Sequence, residues 1–486
     1  MDRSEKIKEH LKSIACGILL LTMICLCVVY ILSFSGAVEY DFSKNDMEAL
    51  SSESIRYQYL EYWNASYVSP SFIGFSAKSL GDPIGFYTLG GSRADVYQSV
   101  IPFVDALLGE RGTLKKLDAG AGEKVFHALL GGDYIYLSWA CDLPISLIAA
   151  MSCGETDLDV EAGDYIREML IVPGSYLENR TIASSSDEEA IPVYSFYAVA
   201  RDGKGNYYRL DTDGADDVVF HKNFYAAYSN SETRLPYTFA YTMKKDAFML
   251  EHGFSEKIMD TTVIPLGETA LCAPIVFEEI RIPGAAALAP MMEVFLMNPE
   301  KVTSYTDEAG TVFYLDEGQN LSVTTGGILQ YTAHETEGIT LGDLFGWHTG
   351  EEKHDVYDYF GGALVAVHAL KSAHAQTNAD LYISGVYYDG VHLEICFGYA
   401  VGGFPLYFDG KTDMISFVFS SGVLQSAVYH LRTIHTTAYV SELPDLTWAL
   451  RAHLLQAKDR YYCFYGYDFT QKTSRQGANV LVTPKK

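Results

Sequence analysis

The sequence is 486 residues long, and 48% of its residues are hydrophobic and 20% charged. This composition provides enough chain for roughly two to four folded domains, and it excludes wholesale disorder, a collagen-like repeat and a multi-pass membrane protein. The formal net charge is −27, from 35 Lys and Arg residues against 62 Asp and Glu residues. Because such an acidic surface repels phosphate backbones, we expect no nucleic-acid partner.

The first element of the chain is an uncharged apolar run from Ile14 to Phe34. As a helix this run would be about 31 Å long, which matches the hydrocarbon core of a bilayer. Its Leu, Ile, Val and Phe residues favour insertion by on the order of 4–7 kcal/mol. We therefore predict a single transmembrane helix over residues 14–34. The alternative is a cleavable signal peptide, because Ser35, Gly36 and Ala37 follow, although a signal peptide's apolar region is usually only about 7–15 residues long.

The charges that flank this run predict its orientation. Four cations precede it, namely Arg3, Lys6, Lys8 and Lys12, whereas Lys44 is the only Lys or Arg within the next 20 residues. Positive flanks stay in the cytoplasm. We therefore predict a single-pass protein of the cell membrane, with a cytoplasmic tail over residues 1–13 and an acidic extracellular part that contains the bulk of the chain.

The pattern after the apolar run is first polar and then helical. Residues 41–54 are predicted to form a stalk or loop. Ser92 to Asp95 resembles a capping box, and it opens a helical pattern that places five apolar residues on one face, Val96, Val100, Val104, Leu107 and Leu108. Pro102 should kink this helix. A second helix is predicted over residues 123–130, a strand over 134–139 and a third helix from about residue 143 to Met151.

A strand pattern begins at about Ile191. Residues 193–200 and 207–210 are predicted strands, joined by a turn over 201–206. The pattern D-x-x-G-x-x-aromatic-x-L-D occurs at residues 202–211 and again at 307–316, an offset of 105 residues. Two interpretations remain open, since turn chemistry alone selects Asp and Gly. The repeat is either a shared hairpin type or the trace of two related α+β modules.

The last third of the chain alternates between helix and strand. A helix is predicted over 355–374, strands over 381–388, 393–399, 406–408 and 414–419, a strand or strand–helix over 423–434, and a helix opened by Pro444 and Asp445. Runs of antiparallel strands with occasional helices indicate an α+β fold, with antiparallel sheets packed against helices. We predict an N-terminal extracellular domain over 35–160, a central α+β domain over 161–285 and a related C-terminal α+β domain over 286–486.

The cysteines do not form the framework of a small secreted domain. Three lie in the apolar run, and five are spread over the remaining chain, at positions Cys141, Cys153, Cys272, Cys396 and Cys463. We expect these five to be small buried residues. A disulfide between Cys141 and Cys153 is the alternative.

Candidate metal sites fail on spacing. His334 to Glu337 begins like a zinc-binding helix but lacks a second His one turn later. His348, His354, His368 and His374 are separated by intervals such as six residues, which do not share a helical face. Asp211 to Asp217 resembles a calcium loop, but its glycine comes too early and no Glu closes it. We predict no metal site and no cofactor.

Candidate catalytic groups fail as well. Gly253-Phe254-Ser255 lacks the second glycine of a nucleophile elbow. Glu278 and Glu279 should point to opposite faces of a strand, which prevents joint acid–base action. The 36 Tyr residues suit antiparallel strands, with a Tyr-lined glycan groove as the alternative. We predict no catalytic residues and no enzymatic activity.

Four segments resemble the YycH family of regulatory proteins, in the order that this family shows. They are residues 134–147 (YIYLSWACDLPISL), residues 293–302 (EVFLMNPEKV), residues 311–331, and residues 393–407 (LEICFGYAVGGFPLY). Asn298-Pro299 and Gly403-Phe404-Pro405 stand where the family has its Pro-containing motifs. The single N-terminal span also matches. The resemblance covers most of the chain.

The resemblance implies a non-enzymatic membrane protein of Gram-positive bacteria. Proteins of this family modulate a WalK-type sensor histidine kinase that controls cell-wall metabolism, and they act with the related protein YycI. The implied contacts involve the membrane helix and the extracellular domains. An anchored module that binds cell-wall glycan, or an anchored cell-wall hydrolase, is the alternative function.

Overall fold

The structure is a computed structural model of the chain. It describes residues 65–77, 81–109, 112–153, 163–173, 196–212, 235–242, 259–266, 272–334, 338–345, 356–374, 379–408, 411–444, 461–469 and 478–484. The chain divides into two compact units, Met1–Ser54 and Ile55–Lys486, and every described residue lies in the second. The predicted tail, membrane helix and stalk, the helix after Pro444 and the Gly253–Ser255 motif lie outside the described residues.

The described residues form two large sheets, one two-stranded sheet and six α-helices, which confirms the predicted α+β class. The helices are α1 (Ala94–Leu108), α2 (Ala119–Leu129), α3 (Ile145–Cys153), α4 (Ala285–Val294), α5 (Leu341–Phe345) and α6 (Val356–Ala373). Within the described ranges, none of these helices has the length and apolarity that crossing a membrane requires.

The first sheet has nine strands, all paired antiparallel in the order β3-β7-β6-β5-β4-β1-β2-β8-β9. Its strands are β1 (Phe72–Ser76), β2 (Ile84–Tyr87), β3 (Gly112–Leu117), β4 (Tyr134–Pro144), β5 (Tyr165–Pro173), β6 (Phe196–Arg201), β7 (Tyr207–Thr212), β8 (Leu235–Phe239) and β9 (Val263–Pro265). Strands from both sides of the predicted boundary between residues 160 and 161 therefore belong to one sheet.

The second large sheet has twelve strands and follows the order β11-β12-β13-β14-β20-β19-β17-β18-β22-β23, with β15 beside β20 and β16 beside β17. Its strands are β11 (Thr303–Thr306), β12 (Val312–Asp316), β13 (Gln319–Val323), β14 (Ile328–Ala333), β15 (Ile339–Thr340), β16 (Asp380–Tyr388), β17 (His392–Val401), β18 (Phe404–Tyr407), β19 (Ile415–Ser420), β20 (Val423–His430), β22 (Tyr461–Asp468) and β23 (Asn479–Pro484). Only the β18–β22 pair is parallel among the described pairings. The two-stranded sheet pairs β10 (Cys272–Ile280) with β21 (Arg432–Glu442).

Helix α1 forms where its apolar periodicity predicts it. The five apolar residues of the predicted face, from Val96 to Leu108, are all buried, and the helix continues through Pro102. The predicted capping box is wrong, because the N-cap is Arg93, in a left-handed conformation and without a side-chain cap. The Arg93 guanidinium instead binds Asp95, with Nε and Nη2 each 3.1 Å from a carboxylate oxygen.

Helix α2 begins four residues before its predicted start. The Asp118 side chain is the N-cap and accepts hydrogen bonds from the N–H groups of Gly120 and Ala121, at 3.0 and 3.1 Å. The alternating Ala and Gly residues of the first turn give no apolar periodicity, so the sequence pattern shows only the part from Glu123 onward.

The central strands of the first sheet are buried on both faces, whereas the edge strand β3 is partly exposed. Along β4, Ile135 and Leu137 belong to the main core, which also includes residues of α1, α3, α6 and the second large sheet. The intervening Tyr134 and Tyr136 belong to a second core that includes Phe126 of α2. This alternation follows the two-residue period of a strand. The main core therefore joins both large sheets and their helices.

The structure describes the side chains of three of the five cysteines that follow the apolar run, and the prediction of burial is confirmed for two of them. Cys141 and Cys396 are buried thiols, whereas Cys272 is exposed, because it starts the two-stranded sheet rather than a buried strand. Since Cys141 is reduced, the alternative disulfide with Cys153 is not formed.

Candidate functional site

A large bulge in β4 is the structural origin of the candidate site. In the pairing of β4 with β5, Ser138 lies opposite Glu168 and Leu143 lies opposite Ile166. The four residues from Trp139 to Asp142 therefore stand opposite one residue, Arg167. Bulges interrupt the ladder of hydrogen bonds and redirect side chains, and they are common beside functional sites.

Three of the four bulge residues make a contact away from the β4–β5 pair. The Trp139 indole N–H donates to the Val68 carbonyl at 2.7 Å, and the Cys141 thiol contacts the Ile383 carbonyl of β16 at 3.6 Å. The Asp142 carboxylate accepts from the Gly203 N–H at 2.8 Å. The bulge thus fastens the first sheet to the second one and to the β6–β7 turn.

A cavity of about 130 Å³ lies beside the bulge, between the two large sheets. Its volume is several times what one water molecule needs. The aromatic part of its wall comes from both sheets and consists of Phe72, Tyr87, Tyr136, Trp139, Tyr382 and Tyr465. Such a mixture of aromatic faces and a few polar groups is typical of small-ligand sites.

The tyrosines of this cavity are hydrogen-bonding groups rather than acids or bases. Burial raises the pKa of Tyr87, Tyr136 and Tyr382 well above the ordinary value for a phenol. They therefore stay neutral at physiological pH. The Tyr87 ring packs edge-on against Phe72 and Tyr465, with centroids 5.3 and 6.0 Å apart, which fixes its position in the wall.

Two charged residues of β5 complete the wall. Arg167 has a side chain that is 23% exposed, and its Nη2 donates to the Ala140 carbonyl of the bulge at 3.2 Å. Glu168 is buried, and both of its oxygens are engaged, one by the Arg201 guanidinium at 2.5 Å and the other by the Thr261 hydroxyl at 2.6 Å. Arg167 is thus the more accessible charge of the pair.

Behind this wall lies a buried charge cluster that is centred on Arg201. Besides Glu168, the Arg201 guanidinium binds Asp260 Oδ1 at 3.1 Å and Thr261 Oγ1 at 2.7 Å. It also lies over the Phe126 ring, 4.8 Å from the centroid. One buried cation therefore faces two buried carboxylates, and hydrogen bonds satisfy the cluster.

Asp260 connects this cluster to His127 of α2. The His127 Nε2 lies 2.5 Å from Asp260 Oδ2, and the imidazole stacks on Tyr241 with centroids 4.1 Å apart. Burial by itself would raise the pKa of Asp260. The hydrogen bond from His127 and the charge of Arg201 outweigh burial and hold this pKa well below its ordinary value.

A second, more polar cavity of about 220 Å³ adjoins the cluster. It shares three lining residues with the aromatic cavity, Arg167, Glu168 and Met259, so the two cavities are neighbours. Glu123 and Asp260 line this second cavity, and His127 lies beside them. One donor atom from each of these three residues lies within 4.8 Å of the other two.

The histidines considered from the sequence are not assembled into this site. His334 is exposed, whereas His368 and His374 contact the hydroxyls of Tyr67 and Tyr429, at 2.6 and 3.2 Å respectively. His348 and His354 lie outside the described residues.

The carboxylates considered from the sequence are also apart from the site. Glu278 pairs with Arg432, whereas Glu279 pairs with Arg281 at 3.0 Å, so the two adjacent glutamates serve opposite faces of β10, as predicted. Asp211 binds Arg209 at 2.9 Å, and the residues after Thr212 in the predicted calcium-like loop are not described.

The sequence prediction missed the Glu123, His127 and Asp260 group. The four-residue spacing of Glu123 and His127 is visible in the sequence, and it places both on one face of a helix. Asp260 lies 133 residues after His127 and has no local pattern that connects it to them.

Comparison with family models, with curated proteins and with solved structures finds no match for this chain.

Proposed function

We propose that this protein is a membrane-anchored extracytoplasmic regulator that modulates a sensor histidine kinase of a cell-wall-controlling two-component system. The observation that carries the proposal is the uncharged run Ile14–Phe34 with its cationic N-terminal flank. A helix of this length and charge pattern would anchor the large acidic part of the chain on the extracellular side of the cell membrane. The sensor domains of such kinases lie on the same side.

The segments that resemble the YycH family also support this proposal. The first of them contains the β4 bulge with Trp139 and Ala140, and the last contains Gly403 and Pro405, and all four residues line the aromatic cavity. The resemblance therefore includes two walls of the same cavity. We propose that this cavity receives a small ligand whose binding the protein reports to its membrane partners.

The implied partners are the sensor kinase and a YycI-like protein, contacted through the membrane helix and the extracellular unit. Helices associate in lipid through close packing at small residues, which Ala15, Gly17 and Cys16 provide. A coupling free energy of about 1–3 kcal/mol is enough to bias a two-state kinase.

The test replaces residues 14–34 with an unrelated Leu-rich span of equal length and measures kinase-dependent transcription in the host. We expect regulation to be lost although the protein remains in the membrane at its normal level. The matched control exchanges Leu and Ile within residues 14–34 at positions away from Ala15 and Gly17, and it should leave transcription unchanged. Normal transcription with the replaced span would contradict docking through this helix.

A second function, binding of cell-wall glycan, is favoured by one observation, the aromatic lining of the cavity. Sugars pack on aromatic faces while polar groups such as Arg167 bind their hydroxyls and carboxylates. Binding is preferred over hydrolysis because both Glu168 oxygens are already engaged by Arg201 and Thr261.

Purified cell wall distinguishes the two functions. If the cavity binds glycan, Arg167→Ala should reduce co-sedimentation of the full chain with cell wall by about tenfold or more, which is about 1.4 kcal/mol. The matched control is Arg281→Ala, which removes an exposed cation that does not line the cavity. Equal sedimentation of both variants and the wild type would exclude this cavity as a glycan site.

A further inference from the structure

We infer that Glu123, His127 and Asp260 bind a divalent transition-metal ion, for which Zn²⁺ is the best chemical match. This site is distinct from the aromatic cavity of the proposed regulator and does not depend on that function.

The donor atoms are already close to a coordinating arrangement. One donor from each of the three residues lies within 4.8 Å of the others, and His127 Nε2 lies 2.5 Å from Asp260 Oδ2. Tetrahedral donors about 2.1 Å from Zn²⁺ are about 3.4 Å apart. The imidazole and the Asp260 carboxylate must therefore separate by about 1 Å, and the exposed Glu123 side chain must move inward.

The three residues lie on two elements that fix their positions. Glu123 and His127 are one turn apart on α2, so both side chains lie on the same helix face. Asp260 lies in the turn before β9, whose backbone is held by two hydrogen bonds. The Tyr241 N–H donates to the Asp260 carbonyl at 2.7 Å, and the Thr262 N–H donates to the Met259 carbonyl at 2.9 Å.

The hydrogen bonds from Arg201 and the Thr261 N–H engage only one oxygen of Asp260, which leaves the other oxygen to bind a metal ion together with His127. Oδ1 accepts hydrogen bonds from Arg201 and from the Thr261 N–H, both at 3.1 Å, whereas Oδ2 faces His127. The His127 ring is oriented by stacking on Tyr241. Hydrogen bonds of this kind to ligating carboxylates, and a fixed imidazole, are typical of metal sites in proteins.

The charges and the space also suit a divalent cation. Arg201 is balanced by Glu168, which leaves the carboxylates of Glu123 and Asp260 to neutralise two positive charges. The polar cavity of about 220 Å³ that Glu123 and Asp260 line has room for the waters that complete the coordination. One imidazole with two carboxylates favours Zn²⁺ over Ca²⁺, which prefers oxygen ligands alone.

The experiment measures Zn²⁺ affinity of the full chain in detergent, after removal of metal, by competition with a chromophoric chelator. We expect the wild type to bind one Zn²⁺ per chain at this site. Glu123→Gln should weaken that binding at least tenfold, because the amide keeps the shape of the side chain and loses its charge. The matched control is Glu293→Gln, which changes an exposed helical glutamate outside the cluster and should leave the affinity unchanged.

Two further measurements keep the test decisive if other histidines also bind Zn²⁺. Zn²⁺ should raise the melting temperature of the wild type and of Glu293→Gln more than that of Glu123→Gln. X-ray absorption at one equivalent of Zn²⁺ should show nitrogen and oxygen donors without sulfur. Equal affinity of wild type and Glu123→Gln, or a sulfur donor at one equivalent, would overturn the inference.

Discussion

Asp202 and Asp307, 105 residues apart, make the same turn in two different sheets. Each carboxylate accepts a hydrogen bond from the N–H four residues later, at 2.7 Å from Asn206 and at 2.8 Å from Thr311. In each turn the third residue after the aspartate is a glycine with positive φ, at 93° for Gly205 and 83° for Gly310. The strand registers agree as well, since Arg201 pairs with Tyr207 and Thr306 with Val312.

This agreement shows that the sequence repeat is a repeat of local structure. The surrounding sheets differ, because β7 pairs with β3 in the first sheet and β12 pairs with β13 in the second. A relation between whole α+β modules stays a prediction.

The two turn glycines should differ in their tolerance of alanine. A side chain at positive φ costs about 1–2 kcal/mol, so both Gly205→Ala and Gly310→Ala should destabilise the protein. The added Cβ meets nothing within 4 Å at Gly205, but it lies 2.9 Å from Thr325 Cγ2 at Gly310. Gly310→Ala should therefore lower the free energy of unfolding more than Gly205→Ala in chemical denaturation. An equal loss would show that backbone strain alone decides the cost.

Removing Arg201 should be among the most damaging substitutions in the described residues. Arg201→Ala leaves the buried carboxylates of Glu168 and Asp260 without their cation, which costs about 3–5 kcal/mol of unfolding free energy. The control is Arg209→Ala, because the Arg209 side chain is 40% exposed and pairs with Asp211 at the surface. Urea denaturation of both variants gives the comparison. A loss below 1 kcal/mol for Arg201→Ala would contradict the role of the cluster.

Acid should destabilise the protein through His368. Burial and, to a smaller extent, the positive charge of Lys371 together lower the pKa of His368 to about 4. Since the unfolded chain binds this proton at its ordinary pKa of about 6.5, the contribution is complete above pH 6.5 and is lost as pH falls toward 4. It amounts to at most about 3 kcal/mol.

His368→Gln should flatten the dependence of unfolding free energy on pH between 6.5 and 4. The control is His392→Gln, which changes a histidine whose side chain is 50% exposed. This variant should keep the wild-type dependence of unfolding free energy on pH. Denaturation at a series of pH values gives both slopes. The same slope in His368→Gln and the wild type would refute the assignment to this residue.

Gly403→Ala should disturb the wall of the aromatic cavity. Gly403 has a φ of 87°, and a Cβ there would lie 2.7 Å from the Tyr87 carbonyl oxygen. We expect a loss of about 1–3 kcal/mol of unfolding free energy and a shift of the Tyr87 ring. Gly284→Ala is the control, because nothing lies within 4 Å of its Cβ and its φ is −65°. Equal melting temperatures for the two variants would contradict this prediction, because they would show that the cavity wall accommodates the added Cβ at no cost in stability.

Local patterns in the sequence predicted the elements whose stability is local. The face of α1 from Val96 to Leu108 was predicted correctly, because its apolar residues recur with the period of a helix and all of them are buried. The predicted strand or strand–helix over residues 423–434 is two strands, β20 and β21, with a break at Leu431. The β-branched and aromatic residues there favoured the strand interpretation, and only the pairing of β21 with β10 decided it.

The sequence by itself determined the antiparallel α+β class, the Asp–Gly turns and the buried helix face, because these depend on residues a few positions apart. The β4 bulge depends on how β5 pairs with β4, and no sequence pattern within either strand predicts it. The cluster of Arg201, Glu168, Asp260 and His127 brings together four elements far apart in the chain. Only the tertiary structure decided these features, because buried charges find their partners through space and not through sequence spacing.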